Sequence, residues 1–145
     1  MSLYSRNSNL AAYQSTAVHG GVAGADPHRL VLMLMDGALE RIAIARGCIE
    51  RGGKGDLGRK AAAISQCISI VGELRGSLDQ TAGGELAKNL YDLYDYMVRR
   101  LLLANVNSDV KCLTEVTSLL DNVRSAWAAI GPAVRNATQQ ALPAA

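Results

Sequence analysis

Charge is scarce in this chain. Asp, Glu, Lys and Arg make up 19% of its 145 residues, while 49% are hydrophobic. Ordinary soluble domains carry roughly 25% charged residues, so the deficit predicts more apolar surface than one core can use. Long apolar runs are also missing. The longest charge-free stretch within a helical pattern is 61–72, short of the roughly 18 residues a membrane span needs, so no membrane insertion is expected. No basic segment followed by an apolar one opens the chain, so no signal peptide is visible and a cytoplasmic location is expected. Net charge is +2, and no basic cluster is longer than Arg99-Arg100. That is too mild a charge to imply an anionic-membrane partner, and no nucleic-acid partner is expected.

Cysteine and proline are nearly absent too. Cys48, Cys67 and Cys112 are odd in number, far apart and form no CxxC, which predicts reduced, partly buried thiols. Proline occurs only at Pro27, Pro132 and Pro143, at the edges of the periodic segments.

What is present is helical rhythm. Residues 1–25 read as a leader, polar and then Gly-rich, either helical for a short stretch or disordered. Asp26-Pro27 supplies an N-cap and a first-turn proline for a helix that ends at Gly52-Gly53. Asp56 is expected to cap a second helix with the seam Leu57, Ala61, Ile64, Ile68, Val71, Leu74 and Leu78. Beyond Gly83-Gly84 a third has the seam Leu86, Leu90, Leu93, Met97, Leu101 and Ala104. A turn over 105–108 leads to a fourth with Leu113, Val116, Leu120, Val123, Trp127 and Ile130, stopped by Gly131-Pro132. Residues 132–145 form an Ala-rich tail, expected to be frayed. Four segments of similar length on short connections predict an all-α, antiparallel up-down four-helix bundle spanning 26–131.

The chemistry that such bundles host is not provided for. A carboxylate-bridged metal pair needs Glu-x-x-His, which is absent, and a phosphotransfer bundle needs a mid-helix histidine. His19 lies in the leader and His28 in the first helical turn, where each reads as a solvated or capping-region group. Gly52, Gly53 and Gly55 around Lys54 do not match the phosphate-loop pattern. No catalytic residue, metal ligand or cofactor is expected, and the chain is not read as an enzyme.

The apolar surplus asks for a partner. Off the second helix's seam, Ala62, Ala63, Ser65, Gln66, Cys67, Ser69 and Ile70 are all uncharged, so another helix can approach at little desolvation cost. The end of the fourth helix holds the only Trp. Ala63, Cys67, Ile70, Trp127 and Ile130 are the candidate partner-binding residues, joined by Leu10 and Tyr13 as an anchor in the leader.

Several blocks resemble the flagellar secretion chaperone FliS family. They are Ala12-Tyr13-Gln14, Pro27-His28-Arg29-Leu30-Val31-Leu32-Met33-Leu34 with Asp36-Gly37-Ala38, and Glu73-Leu74-Arg75-Gly76-Ser77-Leu78-Asp79. Gly83-Gly84-Glu85, Asn89-Leu90, Leu93-Tyr94-Asp95-Tyr96-Met97 and Arg99-Arg100-Leu101 follow in register, so the match covers about four-fifths of the chain. One departure is Met35, where many members carry an aromatic residue; this chain has no Phe. The resemblance implies a helical bundle that holds the disordered C-terminal segment of flagellin in the cytoplasm, prevents early polymerisation and helps present it to the export gate. A flagellar regulatory factor would be a secondary client. The rival reading is a structural bundle or adaptor that uses the same faces to homodimerise, without a flagellin client.

Overall fold

The computed structural model describes residues 3–4 and 26–131. Helix α1 is Pro27–Arg51, α2 is Asp56–Gly76, α3 is Gln80–Asn107 and α4 is Val110–Ala129. Each starts or stops where the backbone chemistry demands. The Asp26 carboxylate accepts the Arg29 N–H at 2.8 Å, satisfying one of the open donors of the first turn. Gly52 then closes α1 in the left-handed region, at φ 63°, with its N–H on the Cys48 carbonyl. Asp79 and Asp109 cap α3 and α4 in the same way as Asp26.

The second helix begins differently from expectation. Gly55 is its N-cap, at φ 88°, and no side chain caps it. Asp56 instead turns back to accept the Gly53 N–H at 3.1 Å, closing the interhelical turn. That bond, with Arg51 adding to it, holds the Asp56 carboxyl below the usual carboxylate range.

The helices form a ring in which α1 packs on α2, α2 on α3, α3 on α4, and α4 back on α1. Their antiparallel order is visible in pairs that join the start of one helix to the end of its neighbour. Lys60 and Asn105 are one such pair, His28 and Trp127 another. The core between them is aliphatic, with Ile42, Ile64, Leu74, Leu101, Leu113 and Leu120 fully buried. Met35 is buried as well, a flexible side chain where an aromatic one would be bulkier.

Two seams depart from expectation at their first residues, while Ile64, Val71, Leu74, Met97, Leu101 and Ala104 are buried as expected. Leu57 is 69% exposed and Leu86 61% exposed. The inward line of α2 runs through Lys60, Ala63, Ile64, Cys67, Val71 and Leu74, and that of α3 through Ala87, Tyr94, Met97, Leu101 and Ala104. Leu57 sits in the first turn of α2, at the end of the bundle. Leu86 follows Gly84, whose φ 57° and ψ −136° break α3 and set Ala87 inward instead. The turn expected over 105–108 is mostly helix, since α3 continues to Asn107 and stops at Ser108, also left-handed at φ 49°. Lys60 makes that ending stable: its buried ammonium donates to the Asn105 carbonyl and to Ser108 Oγ, both at 2.8 Å.

Among the described residues no helix is long and apolar enough to cross a membrane, and no group of His, Cys, Asp or Glu is placed to hold a metal ion. All three cysteines are free and buried.

Candidate functional site

Where α2 gives way to α3, the chain is briefly extended. Ser77 ends α2 and Asp79 caps α3, leaving Leu78 between two helices with its N–H turned back to the Arg75 carbonyl at 3.3 Å. Another stretch of chain pairs with this connection. Tyr4 forms an antiparallel bridge with Leu78, and the Asp79 N–H donates to the Leu3 carbonyl at 2.7 Å. The groove that receives these two residues has its rim on this connection and its floor on α3 and α4.

The floor is aromatic and polar at once. Trp127, from the last turns of α4, meets the Tyr4 ring edge-on, with centroids 5.4 Å apart and planes at 83°, a favoured aromatic geometry. Beneath it, Tyr4 Oη lies 2.7 Å from Tyr94 Oη, and both side chains are buried. Burial pushes the Tyr94 hydroxyl up to about 12 and raises that of Tyr4 well above its ordinary value, the neighbouring phenol adding to the second shift. Both phenols are therefore neutral across the physiological range. Leu3 lies over Gly83, where a Cβ would stand 2.6 Å from that of Ala87 and 3.1 Å from Leu3 Cδ1. Glycine leaves that space open.

Trp127 is fixed from its other side by α1. His28 stacks on it at 4.7 Å between centroids, with an 18° interplanar angle. The indole N–H donates to the His28 carbonyl at 2.9 Å, and His28 Nε2 is 2.6 Å from the Trp127 carbonyl. His28 is buried, not the solvated group expected of a first-turn histidine. Gly131 is pressed against it, so that a Cβ at that position would lie 2.7 Å from His28 Cε1.

Of the residues singled out beforehand, Trp127 lies in this groove. Ile130 is near it in the chain and 44% exposed, beyond the end of α4. Leu10 and Tyr13 fall outside the described residues, as does the 132–145 tail. Ala63 and Cys67 do not form an open face: they are 3% and 0% exposed, because the small side chains of α2 serve the packing of the bundle itself. Ile70 is half-buried, its Cδ1 within contact distance of the Cβ that Gly37 of α1 lacks. The neutral strip that does reach solvent is one step around the helix, at Ala62, Ser65, Gln66 and Ser69.

Tyr4 and Leu78 are missing from the sequence reading of the site, while Tyr94 enters it only as an apolar residue off the α3 seam and within the family blocks. Leu3-Tyr4 is as apolar a pair as Leu10 and Tyr13, and that was the available signal. For Tyr94 it is the pairing that has no signal, since its partner is 90 residues away.

On the outer face of α3 the charges neutralise one another. Arg75 and Arg99 both reach Asp95, at 3.0 and 3.4 Å. Arg100 and the Tyr96 hydroxyl both donate to Glu115, and these bonds, the tyrosine's first, hold its carboxyl below the ordinary range.

The sequence matches known proteins over most of its length. Residues 8–134 match the family described as Flagellar protein FliS. The Flagellar secretion chaperone FliS of Salmonella typhimurium is 44% identical over 126 residues, covering 86% of this chain and 91% of the relative. Flagellar secretion chaperone FliSB of Pseudomonas aeruginosa is 46% identical over 115 residues, 79% of this chain and 89% of its own length. The Bacillus subtilis FliS is 35% identical over 116 residues, 80% of each chain. With the match extending over all four helices and the groove's Leu78, Tyr94 and Trp127, the chain belongs to the flagellar secretion chaperone FliS family.

Proposed function

We propose that this chain is a cytoplasmic flagellar export chaperone that binds the disordered C-terminal segment of flagellin, keeps it from polymerising early and delivers it to a component of the export gate. The observation that carries this reading is the groove holding Leu3 and Tyr4. It accepts an extended stretch of polypeptide through main-chain pairing and an aromatic pocket, which is what a client lacking its own fold requires. Ordering such a client is costly and must be offset by broad apolar burial. Trp127, Ile130 and the neutral strip of α2 add surface for it. Leu10 and Tyr13 are proposed as the leader's contribution, and a flagellar regulatory factor as a second client. No step of this function calls on a catalytic group or a cofactor.

Calorimetry of the full chain with a flagellin C-terminal segment tests the proposal. A one-to-one complex, weakened about tenfold by Trp127→Ala, the scale of one well-buried aromatic contact, is expected. Absence of any complex would refute it.

A second reading has its own observation. Leu102, Leu103 and Val106, at 50, 44 and 81% exposure, form an apolar end to α3 that a homodimer would cover. In that case the mass in solution is twice the chain mass without flagellin, and a Val106→Glu variant is monomeric.

A further inference from the structure

The groove is more discriminating than an apolar slot. Tyr94 is completely buried, and its hydroxyl has Tyr4 Oη as partner at 2.7 Å. At the other end of the same two-residue footprint, the Asp79 N–H is paired by the Leu3 carbonyl. Between these polar ends lie Leu78, the Trp127 ring and the space above Gly83. Any occupant that replaces Leu3 and Tyr4 inherits these demands. A helical occupant has its carbonyls engaged internally except in its last turn, so the body of a helix cannot serve the Asp79 N–H. A small side chain leaves a void under Trp127. A phenylalanine fills the space but strands the Tyr94 hydroxyl, and a site built around a buried hydroxyl partner rejects the analogue that lacks it.

We propose that the groove is selective for tyrosine, so that the client segment replacing Leu3–Tyr4 enters extended, as an aliphatic residue followed by a tyrosine whose phenol bonds to Tyr94. This rests on the client-binding reading above and specifies what part of the client this subsite takes. The docked N-terminal pair is then a built-in copy of the client's own element. The two compete for one place, and the hydroxyl sets which client sequences can win.

Trp127 is the only tryptophan, so its emission reports occupancy directly. Two synthetic hexapeptides copying residues 1–6 serve as probes, one with tyrosine and one with phenylalanine in the fourth place. They are titrated into the full chain carrying Tyr4→Ala, which vacates the pocket. We expect the tyrosine peptide to bind about tenfold more tightly, the scale of one buried hydroxyl left unpaired. That preference should vanish when Tyr94→Phe is added. Tyr4→Phe is the second variant, since it keeps the groove filled: the tyrosine peptide should displace Phe from it more readily than it displaces the native residue. Equal affinities, a preference that survives loss of the Tyr94 hydroxyl, or no binding of either peptide each overturn the proposal.

A flagellin C-terminal segment is titrated in parallel into the unaltered chain. If it binds and excess tyrosine peptide fails to compete, the segment does not use this pocket and the inference fails while the chaperone reading stands. If it does not bind at all but the peptide preference holds, the flagellin reading alone falls.

Discussion

His28 and Trp127, 99 residues apart, hold each other by reciprocal bonds: the indole N–H donates to the His28 carbonyl, and the imidazole Nε2 contacts the Trp127 carbonyl. The rings stack between those bonds. This clasp joins the first turn of α1 to the last turns of α4, the two ends of the bundle that no loop connects.

Loosening the clasp should cost stability as well as client affinity. Trp127→Phe removes the indole donor and leaves the His28 carbonyl short of a partner, worth about 1 kcal/mol and a Tm lowered by about 4 °C. Gly131→Ala forces a methyl against His28 Cε1 and should also lower Tm. Adding His28→Ala to that variant relieves the clash, so the two losses come out less than additive in thermal melts.

The tyrosine pair sets an alkaline limit. Both phenols have folded-state values raised by burial above the ordinary value of about 10. A raised value means the protonated form is favoured by folding. Their contribution is therefore fully present below about pH 10 and is lost as pH climbs toward the value of about 12 reached by Tyr94. A spectroscopic titration of tyrosinate should show Tyr4→Phe removing a late-titrating group, with Trp127 emission changing over the same range.

Lys60 is the cap of a helix to which it does not belong. Replacing it with Met keeps the buried stem but deletes the bonds to Asn105 and Ser108. The exposed-to-nothing carbonyl left behind should cost about 2 kcal/mol in urea unfolding, without altering flagellin affinity, because this end of the bundle is opposite the groove.

Neighbouring alanines on α2 should behave oppositely. Ala63→Glu buries a carboxylate in the bundle and should destabilise it by more than about 3 kcal/mol. Ala62→Glu places the same charge in solvent and should change stability by less than about 0.5 kcal/mol. If flagellin lies along the neutral strip, calorimetry will show Ala62→Glu weakening the complex about tenfold.

Salt should matter little to that complex. Apolar burial and main-chain pairing predict less than about a threefold change in flagellin affinity between roughly 50 and 200 mM salt, whereas a chain bridging many phosphates loses about a thousandfold. A steep loss in titrations across this range would point to a polyanionic partner.

The sequence was most legible where structure is decided locally. Asp26-Pro27 and Gly52 mark the bounds of α1 because a cap, a fixed φ and a left-handed stop act within a turn of themselves. It was ambiguous where large and small apolar residues are adjacent. Leu57 and Leu86 looked like better core residues than Ala63 and Ala87, yet the helices turn the two alanines inward and leave the two leucines exposed. It was silent where partners are remote. Nothing beside His28 in the chain reveals Trp127, and nothing beside Tyr94 reveals Tyr4. The family resemblance supplied the function class without supplying that geometry.

The three buried thiols give the molecule an unfolding clock. Cys48, Cys67 and Cys112 are each no more than 2% exposed, and burial pushes the Cys67 thiol up to about 12. Since the thiolate is the form that reacts, an alkylating reagent at neutral pH has almost nothing to attack while the bundle is closed. Each labelled molecule is one that has opened. Mass spectrometry after a timed pulse therefore counts openings helix by helix, with Cys48 reporting for α1, Cys67 for α2 and Cys112 for α4, while α3 carries no such reporter.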